Sequence, residues 1–147
     1  MKTMTTTDFT ATMMLDQTPQ EAFNAIADVS AWWAKNFKGN AKNVNDVFSV
    51  KFGETFVDFK ITESVPEKRV VWLVTDCNLH WISDKKEWNG TRVVWDINPM
   101  GDATEIVMTH IGIVPESECY NDCSAGWDMH IKTSLYKLLS EGVGMPQ

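Results

Sequence analysis

The spacing of apolar residues changes once along this chain, and that change most constrains its fold. Over residues 46–111 apolar side chains recur largely at every second position, which is typical of strands with one buried face. From residue 123 the spacing becomes that of an amphipathic helix, with apolar positions at Cys123, Trp127, Ile131, Leu135, Leu138 and Leu139. A sheet with one apolar face needs a cover, and this long C-terminal helix can supply it. The pattern predicts an α+β domain in which a curved antiparallel β-sheet wraps around the helix.

The residues before this region predict a strand and two short helices. Residues 8–16 alternate between apolar and polar side chains, as in a half-buried strand. Thr18 can cap a first helix, Pro19 suits its first position, and Glu21 completes a capping box. We expect this helix to end near Asp28, and Ser30 to cap a second short helix that carries Trp32 and Trp33.

Turn residues divide the middle of the chain. Residues 36–45 are rich in Asn and are predicted to form a loop. Gly53-Glu54, Pro66-Glu67-Lys68 and residues 99–102 are predicted turns, and residues 69–77 a central strand. Residues 78–91 leave two alternatives: a hairpin turn at Asn89-Gly90, or one strand over residues 87–98. Asn121 or Asp122 can cap the last helix, and Gly142 can end it.

Composition excludes several classes of protein. The 147 residues suit one domain, and the net charge of −7 argues against binding nucleic acid or anionic membrane surfaces. No stretch has a transmembrane length, and residues 1–7 lack the apolar core of a signal peptide, so we expect a cytoplasmic protein without membrane insertion. The three cysteines, Cys77, Cys119 and Cys123, are predicted to be reduced thiols.

The order of these elements resembles the helix-grip fold of the START-like (SRPBCC) superfamily, and the details resemble its branch related to the activator of the heat-shock-protein-90 ATPase. Matching segments run along nearly the whole chain: Thr18-Pro19-Gln20-Glu21-Ala22-Phe23, Trp32-Trp33, Glu87-Trp88, Gly90-Thr91, Thr109-His110-Ile111-Gly112 and Gly126-Trp127. The resemblance implies one START-like domain over residues 1–147, with a cavity between sheet and helix. It implies no single function, because members bind lipids, polyketides or hormones, and others are enzymes or bind the chaperone. The full co-chaperone has a further N-terminal domain.

Five polar residues are candidates for chemistry. His110 falls on the apolar face of its strand, where it could orient a ligand or act as an acid or base, or could be a hydrogen-bonded core histidine. Cys119 and Cys123, with His130 or His110, could be considered as zinc ligands, but their spacing matches no zinc motif, so we expect no metal. Glu87 has no acid or base partner that spacing reveals, and is expected to belong to a solvated cluster of charges. We predict no catalytic residue and no cofactor.

The aromatic residues predict a ligand site. If the sheet wraps the helix, one set of large side chains should converge on it and contact a ligand: Phe48, Phe59, Trp72, Trp95, Met108 and Trp127. His110 and Thr55 would supply polar groups, as ligand pockets are mostly apolar with a few placed polar groups. The alternative is that these side chains fill the interior and leave no room.

Three functions remain open. The leading hypothesis is a module that binds a small hydrophobic or aromatic ligand between sheet and helix. The second is a chaperone-linked or stress-response interaction factor, with a chaperone or a second copy as partner, which a large exposed apolar patch would favour. The third is an enzyme that uses His110, which needs a second ionisable group beside it in an open pocket.

Overall fold

The computed structural model describes residues 7–147 and has the predicted α+β helix-grip fold. Seven antiparallel strands form one sheet in the order β1-β7-β6-β5-β4-β3-β2. They are β1 (Phe9–Leu15), β2 (Asn36–Gly39), β3 (Val47–Phe52), β4 (Thr55–Val65), β5 (Arg69–Asn78), β6 (Arg92–Met100) and β7 (Ala103–Ile111). The prediction for residues 1–6 lies outside the described residues. No helix within residues 7–147 is long and apolar enough to cross a membrane.

Two short helices follow β1: α1 (Pro19–Ala27) and α2 (Val29–Trp32). The capping box of α1 is present, with Thr18 accepting from the Glu21 N–H and the Glu21 carboxylate accepting from the Thr18 N–H. Ser30 lies inside α2, and Asp28 occupies its N-cap position, so the prediction of a Ser30 cap is wrong.

The C-terminal helix is continuous from Tyr120 to Glu141 but is not α-helical throughout. It consists of α3 (Tyr120–Met129), a π-helical segment (His130–Leu135) and α4 (Tyr136–Glu141), and it ends at Gly142 with a φ of 84°. Trp127, Ile131 and Leu135 are buried against the sheet, whereas Leu138 is only partly buried. The helix therefore covers the sheet as predicted.

Two segments of the middle region differ from the prediction. Residues 36–39 form the edge strand β2, paired with β3, instead of a loop. Phe37 packs against Phe48 with ring centroids 5.8 Å apart, and this contact holds the short strand on the sheet despite its Asn-rich surroundings. The turns at Gly53-Glu54 and residues 66–68 lie between β3, β4 and β5 as predicted.

Residues 79–91 form neither of the two predicted structures. They make a long loop of turns, and β6 begins only at Arg92. The loop returns to the sheet where the Val74 N–H donates to the Thr91 carbonyl and the Gly90 N–H donates to the Val74 carbonyl. Gly90 has a φ of 81°, which favours glycine and lets the chain turn into β6. This loop, called the 79–91 loop below, borders the candidate site.

Candidate functional site

A cavity of about 230 Å³ opens between the sheet, the 79–91 loop and the start of the C-terminal helix. Four tryptophans contribute to its wall, together with smaller apolar groups and a few polar ones. The lining residues are Trp33, Phe52, Thr55, Val57, Leu79, Trp81, Trp88, Asp122, Cys123, Gly126, Trp127 and His130. An apolar cavity of about 150 Å³ is enough for benzene, so this one has room for a molecule of one or two rings.

Trp127 is the member of the predicted ligand set that lines this cavity, and Thr55 lines it too. The other six residues lie behind the wall and are at most 2% exposed: Phe48, Phe59, Trp72, Trp95, Met108 and His110. They belong to the buried core, where their side chains pack among apolar residues. The open space lies nearer the surface than the sequence suggested.

Trp33 separates the cavity from that interior. Its ring stacks on Trp72 at 6.0 Å, tilts against Phe59 at 5.8 Å and lies 5.0 Å from Trp127, measured between ring centroids. Trp33 is 4% exposed and lines the cavity. The predicted aromatic set thus supports the cavity wall through Trp33.

His110 is fully buried, and both of its ring nitrogens are hydrogen-bonded within the protein. Nε1 of Trp127 donates to Nδ1 of His110 at 3.1 Å, and Nε2 lies 2.9 Å from Oγ1 of Thr91. An indole N–H can only donate, so Nδ1 is an acceptor and the proton of the neutral ring is on Nε2. The Thr91 hydroxyl in turn donates to the Trp88 carbonyl at 2.6 Å. Burial lowers the pKa of His110 to about 3, which keeps the ring neutral.

This network bears on the hypothesis of an enzyme that uses His110. An acid or base must reach the substrate. Both nitrogens of His110 are instead hydrogen-bonded to Trp127 and Thr91, and His110 does not line the cavity. His110 therefore joins the helix to the 79–91 loop, as a hydrogen-bonded core histidine does.

His130 is the histidine that lines the cavity. Its ring lies 6.2 Å from Trp33 and 6.3 Å from Phe52, measured between centroids. Burial lowers its pKa to about 4, and its Nδ1 is buried without a hydrogen-bond partner. From the sequence, His130 was considered only as a zinc ligand. His130 follows Cys123 and Trp127 by seven and three residues and continues α3, so all three lie on one helical face, and this α-helical spacing is the signal that could have found it.

Two carboxylates bind the 79–91 loop to the start of the C-terminal helix. Glu87 accepts hydrogen bonds from the backbone N–H groups of Glu118 and Cys119, at 2.7 and 2.9 Å. In the opposite direction, the Glu118 carboxylate accepts hydrogen bonds from the N–H groups of Ser83 and Asp84 in the loop. These bonds lower the pKa of Glu118. Cys119 occupies the N-cap position of α3, so the prediction of a cap at Asn121 or Asp122 is wrong. The half-buried Glu87 satisfies the N–H groups at this helix start, a role beyond that of the solvated cluster of charges expected from the sequence.

The two cysteines beside the cavity are joined. Cys119 and Cys123 form a disulfide, so the prediction that all three cysteines are reduced thiols is wrong for this pair, and Cys77 is the free one. Their spacing of four residues places them one helical turn apart, which brings the sulfur atoms together. Sγ of Cys119 also accepts from Nε1 of Trp88 at 3.4 Å. Within residues 7–147 no group of three or more His, Cys, Asp or Glu residues is placed to hold a metal ion.

Trp81 lies at the mouth of the cavity. It is 47% exposed, and its Nε1 donates to Oδ2 of Asp122 at 3.1 Å, so the bond crosses from the loop to α3. Among the described residues that line the cavity, Asp122 is the one with a charged side chain. The wall is therefore aromatic, with one carboxylate at its rim and no Lys or Arg.

Comparisons with known proteins establish the fold. No protein-family model and no curated protein matches the sequence. Among solved structures, the Aha1 dimer from Colwellia psychrerythraea is similar with a TM-score of 0.76 and 21% identity, over 93% of this chain and 98% of that chain. The protein MLL2253 from Mesorhizobium loti is similar with a TM-score of 0.70 and 14% identity, over 93% of this chain and 100% of that chain.

A third similar structure is DynU16, from the dynemicin biosynthetic locus. Its TM-score is 0.71 and its identity 16%, over 92% of this chain but 48% of DynU16, so this chain spans about half of that protein. At these identities the similarity concerns the fold. The protein thus has an α+β helix-grip fold.

Proposed function

We propose that this protein binds a small hydrophobic or aromatic molecule in the cavity between its sheet, the 79–91 loop and the C-terminal helix. The supporting observation is the cavity itself, with about 230 Å³ of space and four tryptophans in its wall. Indole rings offer a large apolar contact area, and ligand pockets are mostly apolar with few polar groups. Trp127 touches the ligand directly in this proposal.

The other residues of the predicted ligand set support the cavity wall from behind and do not line it. Phe48, Phe59 and Trp72 pack together behind Trp33, and Trp95 lies 5.3 Å from Trp72 between ring centroids. Met108 and His110 complete this buried layer, and His110 fixes Trp127 through its hydrogen bond. Their contribution is to hold the lining rings in place before the ligand arrives, which reduces the entropy lost on binding.

Filling the cavity tests the proposal. Gly126 on α3 lines the cavity, and an added Cβ would meet no atom within 4 Å, so a side chain introduced there begins in open space. A panel of fatty acids, flavonoids and polyketide-like aromatics would be titrated against the wild type by tryptophan fluorescence. We expect at least one compound to quench or shift the emission, and Gly126→Leu to weaken its binding at least tenfold.

Ala125→Leu is the matched control, because Ala125 is exposed on the same helix and does not line the cavity. It should leave the affinity within about twofold of the wild type. If no compound binds the wild type, or if Gly126→Leu and Ala125→Leu behave alike, the cavity is not the ligand site.

The alternative remains a chaperone-linked or stress-response factor that acts by protein interaction or self-association. Its support is the similarity to the Aha1 dimer, which concerns the fold alone. Its discriminating feature is a large exposed apolar patch. The exposed apolar side chains of residues 7–147 come from several elements, including Met14 on β1, Val47 on β3 and Met129 on α3. We rank the ligand-binding function first because of the cavity.

A further inference from the structure

The polar groups of the cavity wall are nearly all used within the protein. Nε1 of Trp81 donates to Asp122, Nε1 of Trp88 donates to Cys119, and Nε1 of Trp127 donates to His110. Oγ1 of Thr55 accepts from the His80 N–H at 3.1 Å. The three indole N–H groups therefore have their partners already, whereas the Thr55 hydroxyl keeps its proton to donate and the Asp122 carboxylate keeps acceptor sites.

His130 differs from them. Its Nδ1 is buried without a partner, and neither of its nitrogens is hydrogen-bonded to another group within residues 7–147. Nε2 is not among the buried unpartnered atoms, so it is the nitrogen that remains accessible. The ring itself lines the cavity between Trp33 and Phe52. His130 is thus the ring of the wall whose nitrogens have no partner within residues 7–147.

The position of the proton on His130 follows from this environment. A neutral imidazole carries one N–H, and the other nitrogen is an acceptor. A buried N–H without a partner is rare in proteins because it loses its hydrogen bond to water. The proton therefore belongs on Nε2, where a ligand or water can accept it, and the bare lone pair belongs on the buried Nδ1. His130 accordingly presents a donor to the cavity.

The charge of the wall restricts the ligand further. Among the described residues, no Lys or Arg lines the cavity, and the carboxylate of Asp122 lies at its mouth. The chain as a whole has a net charge of −7. A carboxylate on the ligand would have to leave water without a cation to pair with, which is unfavourable. The cavity thus favours an uncharged molecule.

We propose that the ligand is an uncharged aromatic molecule with a carbonyl oxygen, and that this oxygen accepts a hydrogen bond from Nε2 of His130. This inference rests on the proposed ligand-binding function and adds the chemical class of the ligand. The flat rings of the wall contact its aromatic part, and His130 sets the direction in which its oxygen points.

Three probes of nearly the same shape test the inference. 2-Acetylnaphthalene carries the carbonyl, 2-isopropylnaphthalene replaces it with a hydrocarbon group, and 2-naphthoate adds a negative charge. Their dissociation constants would be measured by isothermal titration calorimetry for the wild type and for His130→Phe. This variant keeps a ring between Trp33 and Phe52 but removes both nitrogens, and its melting temperature shows whether it is folded.

The quantity compared is the ratio of the affinities for the acetyl and isopropyl probes, because the ratio cancels effects common to both. A hydrogen bond of about 0.5–1.5 kcal/mol corresponds to roughly a twofold to tenfold change in affinity. We expect the ratio to fall by that factor in His130→Phe, and 2-naphthoate to bind more weakly than 2-acetylnaphthalene to the wild type.

The two levels of the proposal fail differently. If the neutral probes bind and Gly126→Leu blocks them, but the ratio is the same in His130→Phe, then His130 does not recognise the carbonyl and the ligand-binding function stands. Tighter binding of 2-naphthoate would likewise overturn the assignment of an uncharged ligand. If none of the probes binds the wild type, this inference fails, and so does the proposal that the cavity binds a small aromatic ligand.

Discussion

His110 and His130 have opposite roles, although both are histidines on apolar surfaces. His110 has two protein partners, Trp127 and Thr91, and joins the helix to the 79–91 loop. His130 has none within the described chain and faces the cavity. Because a neutral histidine needs one donor and one acceptor partner, the presence or absence of those partners separates a structural residue from one that is available for binding.

Both histidines make stability depend on pH. Burial lowers the pKa of His110 from 6.5 to about 3 and that of His130 from 6.5 to about 4. As the pH falls, the unfolded chain therefore binds protons before the folded protein does. The contribution of these groups is complete above about pH 6.5 and is lost as the pH falls, down to about pH 4 for His130 and about pH 3 for His110. Each group contributes at most about 1.4 kcal/mol per pH unit, and the partly exposed His130 contributes less than His110.

Urea unfolding at several pH values between 7.5 and 5.0 measures this effect. We expect the free energy of unfolding to fall as the pH is lowered, and His130→Phe to show a shallower decrease than the wild type. The slope that remains in this variant belongs largely to His110. A free energy of unfolding that stays constant over this range would mean that neither histidine is held neutral by the fold.

The C-terminal helix was predicted correctly from its sequence, but its π-helical segment was not. The buried positions Cys123, Trp127, Ile131 and Leu135 are spaced four residues apart, which correctly predicted the helix and its apolar face. A spacing of four exceeds the 3.6 residues of an α-helical turn, so such a stripe would drift around a regular α-helix. The wider π-helical segment keeps Ile131 and Leu135 on the buried face. His130 itself continues α3 and lies on the same face as Trp127, three residues before it, so its place at the cavity follows from α-helical spacing although the sequence interpretation did not use it.

Other local features could not be predicted because they depend on partners distant in sequence. Glu87 binds N–H groups 31 and 32 residues away, so no local pattern marks it as the group that satisfies the helix start. Strand β2 exists through its pairing with β3, although its composition is typical of a loop. By contrast, the capping box at Thr18 is local and was predicted correctly.

Replacing Leu135 tests the packing of this helix. Leu135 is fully buried in the π-helical segment. Leu135→Ala should lower the free energy of unfolding by roughly 2–5 kcal/mol, because it removes buried methyl groups and leaves a cavity. Thr133→Ala, on the exposed side of the same segment, should change it by at most about 0.5 kcal/mol. Urea unfolding measures both, and a change of that smaller size in Leu135→Ala would show that this face of the helix is not packed.

At the scale of the whole molecule, the sheet, the 79–91 loop and the helix each supply part of the cavity wall. Phe52, Thr55 and Val57 come from β3 and β4, Leu79, Trp81 and Trp88 from the loop, and Trp127 from the helix. The bonds of Glu87 and Glu118 hold the loop to the helix start. The sequence predicted the sheet and the helix, whereas the loop was left ambiguous, so the cavity residues that come from the loop could not be predicted.

Because three parts of the molecule form the wall, a ligand should stabilise the whole fold. The cavity exists only in the folded protein, so a ligand present at about 100 times its dissociation constant adds about 2.7 kcal/mol to the free energy of unfolding. For a domain of this size, that corresponds to a rise in melting temperature of roughly 5–10 °C. We expect differential scanning calorimetry to show this rise with 2-acetylnaphthalene, increasing with the logarithm of ligand concentration. The same concentrations should leave Gly126→Leu unchanged while stabilising Ala125→Leu, and an equal rise in both variants would place binding outside the cavity.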